Sequence, residues 1–346
     1  MVVLLYRIQS TSGVRLRAIA CLSLLGLGAV APYGGLNAGQ PAPSPASDGR
    51  GALAVLRRDG VMFPFAAFDG DRWRVSWPTS VSMIEIPITL AAVPERWWGA
   101  RGAGQWRAHL LSGETTPIEL RAPIAFRALC SRLLGVRTSY ESALPKPPVP
   151  VEPFPKDGVA VSGGVPLEPI ERVDAQSPEW AALAVSILDE FNRVEAETLV
   201  GVRARTSWRH TVPVEQRRKT PIRLESWYRS PSGEPGWTVS YIEAVRAYPA
   251  RPEEKGCGLE TLVSGWLHHQ NGVLKKATDL RGRITYCDRV GATYMLPFGR
   301  IRPKERSYWI FQLSGWEDEW YDVAEVGREK VRHVVEVYAG GRLGCR

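Results

Sequence analysis

Residues 52–77 read ALAVLRRDGVMFPFAAFDGDRWRVSW, and this stretch decides the fold class. Two apolar runs, Ala52–Arg57 and Val61–Phe68, are separated by Arg58-Asp59-Gly60, and Asp69-Gly70 divides the second run from Arg72–Trp77. Asp-Gly between apolar runs signals a hairpin, because the glycine accepts a positive φ at no steric cost. Two such turns in succession predict a three-strand antiparallel meander. Pro64 and Pro87 are expected at edges or bulges, since proline cannot donate to a ladder. Further strands are predicted at Met83–Leu90, Trp106–Leu111 and Ile118–Ala122, and a short helix carrying Cys130 over Ala125–Leu134.

Outward from this β-domain (51–142) the composition changes. Between Ala143 and Ile170 stand eight prolines, at 145, 147, 148, 150, 153, 155, 166 and 169. Such a stretch favours extended polyproline-type backbone and predicts a linker over 143–170. A second domain, 171–346, opens on the clearest helix signal. Ser177 can cap, Pro178 suits the first helical position, and Glu179 complements the positive end of the dipole. Trp180, Leu183, Ile187, Phe191 and Val194 then make one apolar stripe, which predicts a helix over about 177–198 packed on a sheet. Alternation follows: Val239, Tyr241 and Val245 face one way, Ser240 and Ile242 the other. Asn271-Gly272 marks a second hairpin, joining Val263–His269 to Val273–Thr278. The fold class is therefore mostly β, or α+β: two β-rich domains, the second with one long amphipathic helix on antiparallel sheet. Met62-Phe63-Pro64-Phe65 and Met295-Leu296-Pro297-Phe298 echo each other, although the spacings that follow differ.

The N-terminus reads as a secretory signal. Val14-Arg15-Leu16-Arg17 is basic, Ala18–Val30 is apolar or small throughout, and Ala29-Val30-Ala31 is a peptidase-type site. Cleavage is expected at Ala31 or, because Pro32 follows directly, near Ala38. Translation starting at Val14 would explain the unusual prefix. The apolar run falls short of the roughly 20 residues that span a bilayer, so no stable transmembrane anchor is expected. Residues 32–50 read as a tether.

Export changes two counts. Removing 1–31 takes away Arg7, Arg15 and Arg17 and no acid, so the net charge falls from +8 to +5. The remaining basic residues are scattered without a block or stripe, which argues against a nucleic-acid partner. Four cysteines remain, Cys130, Cys257, Cys287 and Cys345, and an even number in an exported chain predicts two disulfides. Cys257–Cys287 is favoured because both flank neighbouring strands, leaving Cys130–Cys345.

Catalytic templates are absent: no G-x-S-x-G, no H-E-x-x-H, no P-loop and no EF-hand loop. No cofactor or metal is expected. Adjacent His268 and His269 point to opposite faces of a strand, so they cannot share one ion, but either could act with Asp279 or Asp288 as an acid–base pair. Glu317-Asp318-Glu319 reads as an acidic turn. Tryptophan is the commonest aromatic, with 13 against 11 tyrosines and eight phenylalanines. Most are expected in cores. Trp97 and Trp98, adjacent in an extended segment, and Trp266, beside a glycine, are the candidate ligand contacts. The expected function is an exported, non-enzymatic binding or structural protein of a bacterial envelope, its partner a glycan or envelope protein. The alternative is a secreted hydrolase of polysaccharide or peptide that uses His268 or His269 with Asp288.

Overall fold

The structure is a computed structural model that describes residues 50–79, 87, 89–101, 104–147, 153–163, 165–250, 258–315 and 318–341. The expected signal segment and residues 32–49 of the expected tether, Cys257, Cys345 and Trp316-Glu317 lie outside the described residues, as does most of Met83–Leu90. Residues 45–346 cluster as one compact unit.

The first sheet holds eight strands: β1 (Gly51–Arg57), β2 (Val61–Phe68), β3 (Trp73–Arg74), β4 (Trp106–Leu110), β5 (Thr115–Ile118), β6 (Leu120–Ala128), β7 (Ser131–Thr138) and β8 (Lys156–Ser162). The quoted stretch forms the expected meander, with β2 pairing β1 along its length and β3 at its end. Pro64 marks a bulge, as the missing donor predicts: the register shifts there and Phe65 is the extra residue. The same shift occurs after Pro297, where Phe298 is extra. The two echoing tetrapeptides thus perform the same local operation on two strands.

Two expectations fail here. Ala125–Leu134 is not a helix but the β6–β7 hairpin, because Leu129 takes φ 52° at the turn and sends the chain back on itself. The proline-rich seam also contains β8, which is buried along its whole length between β1 and β4. Its residues, KDGVAVS, lie between Pro155 and Pro166 and include no proline, so nothing removes their ladder donors. Residues 143–170 are therefore not a linker throughout, and part of them lies in the middle of the first sheet.

The second sheet comprises β9 (Glu171–Arg172), β10 (Arg223–Pro231), β11 (Trp237–Ala247), β12 (Leu259–Gln270) and β13 (Val273–Tyr286), in the order β13-β12-β11-β10-β9. Between β9 and β10 come α1 (Pro178–Ser186), α2 (Leu188–Arg205) and α3 (Val214–Lys219). Ser177 caps α1 by accepting from the Trp180 N–H. The expected single helix is broken once, at Ile187, which leaves helical backbone at ψ 1°. The stripe survives the break: Leu183, Ile187, Phe191 and Val194 pack on Trp227, Ile242, Val263 and Leu267. Asn271 and Gly272 both take positive φ, as the β12–β13 hairpin requires.

The third sheet is the meander β14 (Thr293–Ile301), β15 (Tyr308–Gly315), β16 (Asp318–Val326) and β17 (Val331–Gly341). It forms the middle layer, and β15 shows why its sequence, YWIFQL, is apolar on both faces. Tyr308 and Ile310 join the core shared with the first sheet, whereas Trp309 and Phe311 join Trp266 and Tyr241 of the second. Burial on both faces turns alternation into a continuous apolar run. The core shared by the first and third sheets crosses the boundary expected near 143–170. It is cemented by a buried ion pair from Lys156 Nζ to Glu319 Oε2, 2.6 Å, with Tyr321 also donating to Glu319. The layers thus run helices, second sheet, third sheet, first sheet.

Candidate site between the second and third sheets

The expected site residues come apart. His268 and His269 do face opposite sides of β12, but Asp288 lies beyond the far end of the sheet. Leu259 is the partner of Tyr286, and nine residues of extended strand, about 30 Å, separate Leu259 from His268. No acid–base pair forms with Asp288. Its carboxylate instead accepts from the Val290 N–H in the exposed turn after β13. His268 is buried and bonded to the Thr278 hydroxyl at 2.9 Å. His269 lines a groove of about 660 Å³ beneath α1, beside Arg229, which is tied to Glu171 and Glu179. Desolvation lowers the pKa of both imidazoles.

The tryptophan contacts also fail as surface features. Trp266 is 2% exposed, with its ring 5.0 Å from that of Trp309. Trp97 and Trp98 are not on an extended segment. They sit on the 3-10 segment Glu95–Arg101, where successive side chains diverge by about a third of a turn. Trp98 is therefore buried, and Trp97 leans on Trp77 with ring centres 5.8 Å apart. Trp77 anchors the cluster by donating from Nε1 to the Leu134 carbonyl at 2.8 Å. Among the described residues, every tryptophan is buried or half-buried.

What the fold builds instead is a cleft of about 300 Å³ between the second and third sheets. Its walls are the apolar Trp266, Met295, Phe311 and Leu313, and its polar groups include Tyr241, Glu243, Arg281, His333 and Glu336. Two bulges shape it. In β12–β13 the register shifts between Ser264 and Trp266, leaving Asp279 and Leu280 opposite Gly265. A Cβ on Gly265 would lie 2.8 Å from the Asp279 carbonyl oxygen, so the close approach requires glycine. In β16–β17 the shift falls between Val323 and Ala324, and Val334 is the extra residue.

The second bulge has a chemical result. Positions 333 and 336 differ in parity and would lie on opposite faces of a regular strand. With Val334 inserted, His333 and Glu336 share the face that looks toward the second sheet, and Glu336 is directly opposite Asp322. His333 Nδ1 donates to Asp322 Oδ2 at 2.6 Å. The bond to Asp322 raises the imidazole pKa, while burial raises that of Asp322. Asp322 is fully buried, and its other oxygen, Oδ1, has no hydrogen-bond partner.

Across the cleft lies Glu243, 5% exposed, in the apolar stretch of β11. Burial pushes its carboxyl up to about 7, against the pull of the Ser226 hydroxyl and the Met295 N–H, which donates to it at 2.6 Å. The Met295 bond links the edge strand β14 to the second sheet. Arg289 closes the rim: it takes φ 57° after β13 and binds Glu225, Glu260 and the Tyr294 hydroxyl. Neither Glu243 nor His333 carries a sequence motif. The available signal was a lone carboxylate within the apolar run YIEAV.

Cys130 and Cys287 are each disulfide-bonded. Among the described residues no helix is long and apolar enough to cross a membrane. Comparison of the chain with protein-family models, curated proteins and solved structures finds no match.

Proposed function

We propose that this chain is an exported, non-enzymatic binding protein of a bacterial envelope that holds a small polar ligand in the cleft between its second and third sheets. The observation that carries the reading is the cleft itself: apolar walls with a few convergent polar groups, including one carboxyl that titrates near neutrality. That combination is what small-molecule sites are built from. Carboxylates, Arg281 and hydroxyls in one lining suit a glycan fragment, which offers many hydroxyl donors and acceptors. Export agrees with the signal-like residues 14–31 and with disulfide-bonded cysteines. The proposed pairs are Cys257–Cys287 and Cys130–Cys345. In support, the Cys287 N–H bonds to the Gly258 carbonyl, and Gly340 packs against the backbone of Ala128.

The test is a glycan array probed with the exported chain and with Thr293→Trp. Thr293 is half-buried at the start of β14 and lines the cleft, so an indole there fills the space. Binding by the wild type that is lost in Thr293→Trp, with unchanged thermal unfolding, supports the reading. Equal binding by both places the ligand elsewhere.

A hydrolase is the second reading, favoured by one observation. A histidine oriented by a buried aspartate, as His333 is by Asp322, is the arrangement of a general base. Release of new reducing ends from the bound glycan would decide for it.

A further inference from the structure

We propose that Asp322, His333 and Glu336 form a binding site for a borderline divalent transition-metal ion such as zinc, on the third-sheet wall of the cleft. One ligand atom from each residue lies within 4.8 Å of the others, and the Val334 bulge puts all three on one face. A second, independent observation points to a cation. Asp322 is fully buried, yet only one of its oxygens has a partner. A buried carboxylate with half of its acceptor capacity unmet is costly. A cation coordinated by that carboxylate supplies the missing interaction.

The donor set selects the ion. One imidazole and two carboxylates match zinc and its neighbours, whereas calcium and magnesium prefer oxygen alone. Zinc is bound at about 2.0–2.2 Å by such ligands, so the three side chains must draw together slightly, which their positions on the edge strand β17 and its neighbour permit. The ion takes the place of the proton now shared between His333 Nδ1 and Asp322, and that proton leaves to solvent. Three protein ligands leave a fourth position open toward the cleft. Arg281, on the facing strand β13, is the nearby opposing charge. Metal binding does not depend on the glycan reading, because the ion alone is titrated.

The experiment is isothermal titration of zinc chloride into the chelator-treated exported chain, without an affinity tag, compared with His333→Gln and Glu336→Gln. Both side chains are exposed in the cleft, and each variant's circular dichroism and melting curve report its folding. The expected result is one zinc per wild-type chain, weakened roughly tenfold or more in each variant and not displaced by millimolar magnesium. No binding by the wild type, or binding that is unchanged in both folded variants, overturns the proposal.

Discussion

Glu243→Gln tests the electrostatics of the cleft, and its magnitude follows from the environment of that carboxyl. In the folded chain Glu243 titrates near 7, against the ordinary 4.5. Burial on β11 is the main cause, and Glu225 on β10 adds to it. Ser226 on β10, the Met295 N–H on β14 and Arg172 on β9 pull the other way. A gap of roughly 2.5 units at about 1.4 kcal/mol each amounts to about 3–4 kcal/mol. The sign is set by which state holds the proton more tightly, and here the folded chain does. Stability from the protonated group is fully present below about pH 4.5 and is lost as pH rises through about 7. Glutamine mimics the protonated form at every pH. Urea unfolding of both proteins, disulfides intact, should therefore give a difference that grows in favour of the variant by about 3–4 kcal/mol between about pH 4.5 and pH 8. A difference that stays flat across that range would refute the assignment of a proton to Glu243 in the folded state.

Other consequences of the layered core are open to measurement. Lys156→Met leaves the Glu319 carboxylate buried without its counter-ion, and should cost about 3–5 kcal/mol in urea unfolding. Phe311→Ala opens the middle layer where Phe311 is fully buried, for a loss of about 3–5 kcal/mol in the same assay. Gly265→Ala drives a methyl group into the Asp279 carbonyl. It should lower stability by about 1–3 kcal/mol and weaken glycan binding, because the bulge that shapes the cleft must shift. Non-reducing peptide mapping should recover Cys257 with Cys287 and Cys130 with Cys345; crossed peptides would remove the proposed pairing.

Much of the fold was legible where local chemistry is decisive. Asp59-Gly60 and Asn271-Gly272 need positive φ, and each turned the chain as read. Ser177-Pro178-Glu179 started a helix whose stripe met its sheet. The failures share a cause: alternatives separated only by tertiary context. Ala125–Leu134 carries apolar residues that either a helix or a hairpin could bury, and only Leu129's backbone decides. The strand 156–162 was hidden by the prolines before it. The adjacent pair Trp97-Trp98 suits an extended segment as well as a 3-10 turn, and the 3-10 turn reverses the conclusion about their exposure. The cleft was illegible for a stricter reason. His333 and Glu336 have the wrong parity for a shared face, and nothing in the residues around Val334 announces the extra position that corrects it.

In the proposed function, ligand binds in the cleft between the second and third sheets. Hydrogen–deuterium exchange of the chain lacking residues 1–31, with and without soluble peptidoglycan fragments, tests this directly. Slower exchange is expected only at the cleft walls, at Tyr241–Glu243, Leu262–Trp266, Thr293–Met295 and His333–Glu336. Protection that appears instead beneath α1, around His269 and Arg229, or on the first sheet would contradict it.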